Sequence, residues 1–183
     1  MKHTVRIIGT SHIYQVGGEN CPNEDAKEFR EYILSICKGG NIRGIAEEMS
    51  LQALEEKNVT DSVAQQVCDS LDLRHQFSDP SREERKILGI CQDNDIVAEH
   101  LFDGWTKEQI DADVRERGSV PSDRIREKFW LRKIKELDVW PLLFICGENH
   151  FTPFAALLKA GCINVVETHP NWEPSANHGC CES

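Results

Sequence analysis

Apolar residues along the chain fall into two rhythms, short continuous runs and helical repeats. Val5, Ile7 and Ile8 make a run that ends at Gly9 and passes into the polar Thr10-Ser11-His12, which predicts a buried strand breaking into a turn. From Asn23, placed as an N-cap, Ala26, Phe29, Tyr32, Ile33 and Ile36 fall on one face of a helix that stops at Gly39-Gly40. Residues 42–46 predict a second strand closing on Glu47-Glu48. A strand, helix and strand in this order form a crossover unit, right-handed when the strands are parallel.

The middle of the chain is more polar and more helical. Val63, Val67 and Leu71 repeat at helical spacing within residues 62–71, and residues 73–77 predict a short third strand before Asp79-Pro80. Residues 81–88, 96–101 and 107–114 predict short helices, and Pro121-Ser122-Asp123 opens a stronger helix that runs to about Leu137. Strand character returns at residues 142–146, a continuous apolar run that ends at Gly147. A helix from His150 carries Phe154, Leu157 and Leu158 and stops at Gly161, and residues 163–166 predict a final buried strand. The pattern predicts an α/β fold with a mixed, largely parallel sheet flanked by helices. It assigns residues 1–168 to one domain with a helical cap at about residues 80–120, and residues 169–183 to a loose tail.

Composition narrows the partners. A chain of 183 residues with 31 acidic against 21 basic residues has a formal net charge of −10, which repels phosphate backbones and argues against nucleic acid. No run approaches the roughly 20 apolar residues of a membrane span, and the first residues lack the apolar stretch of a signal peptide. Of the eight cysteines, Cys37, Cys68 and Cys146 lie inside apolar segments. With no export signal, reduced thiols in the cytosol are the expectation.

Residues just beyond the carboxyl ends of parallel strands line a shared crevice. His12, Glu47 or Glu48, Asp79 and His150 all occupy such positions. In each Gly-x-x-His turn the glycine allows a tight or left-handed backbone and delivers the histidine to the crevice mouth. His150 is also expected at a helix N-terminus, where the dipole favours the neutral imidazole that a base or a metal ligand requires. Alternation along a strand lets only one of Glu47 and Glu48 face the crevice.

Arg126 shares a helical face with Trp130, Ile134 and Leu137. Either it is buried there and needs a carboxylate or an anionic ligand, or Ile125 and Phe129 set the buried stripe and Arg126 lies at its edge. His169, His178, Cys180 and Cys181 offer soft ligands in the tail, but without the spacing or scaffold of a zinc site. Cys146 immediately precedes Gly147, and as a buried strand residue it is expected to be inert.

Four blocks in order, Gly9-Thr10-Ser11-His12, Ile45-Ala46-Glu47-Glu48, Arg126-Glu127-Lys128-Phe129-Trp130 and Gly147-Glu148-Asn149-His150, resemble the TraB and TIKI-type superfamily, whose relatives include erythromycin-esterase-like and haem-binding ChaN-like proteins. The resemblance implies a mixed α/β fold and a site formed by both histidines, the glutamate and the arginine. In TIKI-type members it implies a divalent-metal-dependent peptidase. The chain is shorter than many members and has Glu47-Glu48 where one glutamate is expected.

These readings point to a hydrolase acting on a small molecule or a peptide. His12, His150 and a glutamate, preferably Glu48, either hold a divalent metal (manganese, cobalt or zinc) that activates water or act directly as acid and base. Arg126 would then stabilise negative charge. Two other readings use the same crevice: a binding module for haem, a metal or a small anion, and an inactive scaffold.

Overall fold

The computed structural model describes residues 3–17, 23–100 and 103–175. Five strands form one sheet in the order β3-β2-β4-β1-β5, from β1 (Thr4–Thr10), β2 (Gly44–Glu47), β3 (Arg74–Phe77), β4 (Leu142–Gly147) and β5 (Asn164–Trp172), and every pairing is parallel. The expected α/β fold with a largely parallel sheet is therefore present.

Two helical layers cover the sheet, and alternation along the central strands divides the core between them. On one face Leu142, Phe144 and Cys146 of β4 pack with Phe129, Trp130 and Ile134 of α8 (Ser119–Leu137), and with Phe154 and Leu158 of α9 (Glu148–Ala160). On the other, Leu143 and Ile145 pack with Phe29 and Ile33 of α2 (Asn23–Gly39), and with Val63 and Val67 of α4 (Val63–Leu71). The longest predicted helix thus begins at Ser119, two residues before Pro121.

Between β3 and α8 lie α5 (Arg82–Leu88), α6 (Asp93–His100) and α7 (Lys107–Arg117), where a helical cap is expected. Ile96 is buried, but α5 and α7 bury no residue. Ion pairs tie the cap together, with Asp113 joining Arg117 and His100. Two five-residue helices, α1 (His12–Val16) and α3 (Leu51–Glu55), follow β1 and β2 and have no counterpart in the hydrophobic pattern.

The first two strands are not neighbours in the sheet, because β4 lies between them and pairs with both. One expectation changes. The domain does not end at residue 168, because β5 continues through His169 and Pro170 to Trp172. The buried Trp172 ring packs against Phe29, Tyr14 and Tyr32, and its carbonyl accepts a hydrogen bond from Thr10 Oγ1. Of the tail ligands, His178, Cys180 and Cys181 lie outside the described residues, as does Leu101 at the predicted end of a cap helix.

Candidate active site

The chain leaves β1 through α2 on one face and travels over β4 to β2; it leaves β4 through α9 on the other face and travels over β1 to β5. Connections from two adjacent strands thus diverge, and a parallel sheet opens a crevice at such a switch point. Both Gly-x-x-His segments start at these two strand ends, where Thr10 lies opposite Gly147. Ser11 caps α1 so that His12 is its first residue, and Gly147 is the N-cap of α9 so that His150 lies in its first turn.

Neither glycine is there for a left-handed turn. Gly9 is a strand residue, and a Cβ on it would lie 1.9 Å from the carbonyl oxygen of Pro170, so β5 passes too close for any side chain. Gly147 has φ −61°, which any residue adopts. A Cβ there would press on Glu48 Oε2 at 3.3 Å and His12 Nε2 at 3.4 Å. Gly147 therefore leaves room for the carboxylate and imidazole to close over its backbone.

Glu48 is the hub. Its Oε2 accepts the Gly147 backbone N–H at 2.7 Å, and its Oε1 accepts Arg126 Nη2 at 2.5 Å. The same Oε1 lies 3.6 Å from His12 Nε2 and 3.5 Å from His150 Nε2. The four residues singled out in the sequence therefore meet around one carboxyl group. Glu47 turns to the opposite face, as alternation requires. There Ser62 Oγ donates to its Oε1, His75 Nε2 lies 2.8 Å from the same atom, and Oε2 is buried without a partner.

Arg126 belongs to the buried face. Its Nε donates to Asp79 Oδ1 at 3.0 Å, and the Trp130 indole, one helical turn on, donates to that same oxygen at 3.0 Å. Arg85 pairs with the other oxygen of Asp79. Burial alone would weaken the guanidinium's hold on its proton, but the fields of Glu48 and Asp79 outweigh it and raise its pKa further. Arg126 is permanently charged. Its longest contacts are at Nη1, 3.3 Å to both Asp123 Oδ1 and His150 Nε2.

The histidines differ in environment. The His12 side chain is 49% exposed, whereas that of His150 is 7% exposed, so only His12 is open to an incoming molecule. Gln15 Nε2 lies 3.5 Å from His12 Nδ1. His150 Nδ1 lies 3.0 Å from Glu127 Oε1, and Glu127 Oε2 pairs with Arg124 at 2.7 Å. Burial disfavours the imidazolium at position 150, but the hydrogen bond to Glu127 and the field of Glu48 more than compensate, and its pKa is raised. The shift runs opposite to the one expected from the helix dipole, because the nearby carboxylates favour the imidazolium.

Glu127 and Asp123 were not visible as site residues. Their signal was the spacing of three that pairs Asp123 with Arg126 and Arg124 with Glu127 on one helix. Glu127→Gln should lower the His150 pKa, read from the imidazole titration by NMR. Because the folded-state value lies above the ordinary 6.5, the stability His150 contributes is full below about pH 6.5 and fades as pH rises through the folded pKa. In Glu127→Gln that fade should begin at lower pH; an unshifted titration would remove Glu127 from this role.

The donor set at Glu48 does not fit a divalent cation. The oxygen approached by both histidines is bonded to a permanent guanidinium, so a metal held by His12, Glu48 and His150 would face fixed positive charge. Among the described residues no group of three His, Cys, Asp or Glu side chains is placed to hold a metal ion. Cys146 is fully buried and its thiol pKa is pushed well up by burial, which disfavours a nucleophilic thiolate. Cys37 and Cys68 are likewise buried, with pKa values pushed up to about 11 and about 12, and all five described cysteines are free thiols.

No described helix is long and apolar enough to cross a membrane. Comparison with protein families, with curated proteins and with solved structures finds nothing that matches this chain.

Proposed function

We propose that the chain is a cytosolic hydrolase that works by direct acid–base chemistry, with the TraB and TIKI-type superfamily as its family. One observation carries the reading: two histidines and an arginine converge on the buried Glu48 at a switch point of a parallel sheet. Packing alone does not call for this, since burying such charges costs several kcal/mol per ion before their attraction is counted.

In this reading His12, the exposed member, accepts a proton from water as the water oxygen adds to an acyl carbon. The buried Glu48 carboxylate stabilises the His12 imidazolium that results. Arg126, through its loosely held Nη1, and His150, whose pKa the surrounding carboxylates raise, face the oxygen on which negative charge develops. His12 then returns its proton to the leaving group as the tetrahedral intermediate collapses. Glu127 positions His150 and favours its imidazolium form, and Gly147 keeps the carboxylate within reach of the backbone.

The substrate class is an ester or amide of a small molecule or a peptide. Hydrolysis of p-nitrophenyl esters and amino-acid p-nitroanilides by the chelator-dialysed chain tests the reading. Turnover that survives dialysis and disappears in His12→Ala supports it. Turnover that returns only on adding manganese, cobalt or zinc would replace direct acid–base catalysis with a metal-assisted reaction.

A further inference from the structure

The two edges of the sheet are treated differently. β5 carries Pro170 and register shifts in its pairing with β1, features that spoil an edge for further pairing. β3 has neither. Its Arg74 N–H donates to Arg43 O, and just past its end Ser78 N–H donates to Glu47 O. Alternation then turns the backbone groups of His75 and Phe77 outward. The Phe77 carbonyl accepts only the side-chain amide of the neighbouring Gln76, a contact that a rotamer change releases.

A cavity of about 620 Å³ opens along this edge, between α3 and the first turn of α5. Leu51, 60% exposed, supplies an apolar contact in it. Its charged lining is Glu55, Asp79, Glu83 and Glu84 against the single Lys133. Asp79 is neutralised by Arg85 and Arg126, and Glu84 caps α5 at Ser81 N–H, but Glu55 and Glu83 form no ion pair among the described residues.

We infer that the outer edge of β3 is a docking strand for an extended peptide bearing lysine or arginine at alternate positions. Backbone hydrogen bonds to His75 and Phe77 would supply sequence-independent affinity, and the unpaired Glu55 and Glu83 would select basic side chains. The inference stands apart from hydrolysis, since docking is read as binding. The two sites meet at Asp79, which lines the cavity and holds Arg126.

Fluorescence anisotropy with a labelled Lys-Val-Lys-Val-Lys-Val peptide and the intact chain tests it. Saturable binding is expected, weakened about tenfold or more in the Glu55→Lys/Glu83→Lys variant. A Glu-Val repeat should fail to bind. N-methylation of alternate peptide residues should abolish binding in one register and spare it in the other, because only one set of amides faces β3. Equal binding of the acidic repeat, indifference to N-methylation, or no saturable binding of the basic peptide would each overturn the proposal.

Discussion

Replacing Arg126 with alanine should destabilise the fold by about 3–5 kcal/mol, the cost of stripping the partner from buried charges. The substitution leaves Glu48 and Asp79 behind, with side chains only 1% and 6% exposed. Two smaller losses follow: the packing of the guanidinium over the Trp130 ring at 5.3 Å, and one of the two donors to Asp79 Oδ1. Because orphaned carboxylates dominate, Arg126→Ala/Glu48→Gln should be more stable than Arg126→Ala alone. Lysine is no substitute, since a point charge cannot reach Glu48 and Asp79 with a planar fork. Urea unfolding decides it; a loss under about 1 kcal/mol for Arg126→Ala would mean that these charges are not the structural centre of the site.

The second large effect concerns Gly9. Its added Cβ would overlap backbone, 1.9 Å from Pro170 O and 2.8 Å from Pro170 C, so no side-chain rotation relieves it. Gly9→Ala must push the end of β5 away and is expected to cost about 3 kcal/mol or more, at the upper end of overpacking effects. The displacement would also loosen Thr10 Oγ1 from the Trp172 carbonyl and Trp172 from Phe29. Thermal unfolding and the near-ultraviolet circular dichroism of the tryptophans read both parts. Wild-type stability in Gly9→Ala would show that β5 does not pass this close.

How much of this was legible beforehand depends on the range of the forces involved. The strands at residues 5–8 and 142–146 announced themselves because both faces are buried, so their apolar runs are continuous. Glu48 was favoured over Glu47, and alternation accounts for the opposite faces they take in the structure. Arg126 and Trp130 stood out by their spacing of four, and a carboxylate for a buried guanidinium followed from electrostatics; its identity, Glu48 together with Asp79, required the fold.

Long-range facts were invisible. Nothing local to residues 42–46 or 142–146 says that β4 enters between β1 and β2, since that order is set by which helical face each crossover covers. The end of β5 reads as tail because the chain from His169 onward holds prolines and little apolar content, and His169, Pro170 and Asn171 are in fact exposed. A single buried ring, Trp172, anchors it. The need for glycine at position 9 likewise comes from a contact with residue 170, which no window of sequence around either residue contains. The direction of the His150 shift is not legible in its own segment, because Glu127 and Glu48 reach it from two other elements, whereas that segment displays only the helix dipole.

The most direct test of the account is kcat/KM of chelator-dialysed native protein and of His12→Ala on the most readily hydrolysed p-nitrophenyl ester, with unfolding of both followed in parallel. The side chain is half exposed, and its 3.6 Å contact with Glu48 Oε1 is longer than the Arg126 and Gly147 hydrogen bonds that already satisfy that carboxylate. His12→Ala should therefore lower the rate by about 10²–10⁴-fold, the usual worth of a positioned acid–base group, with the unfolding midpoint unchanged. A His12→Ala variant as active as the native protein would contradict it and remove the paired histidines from the chemistry.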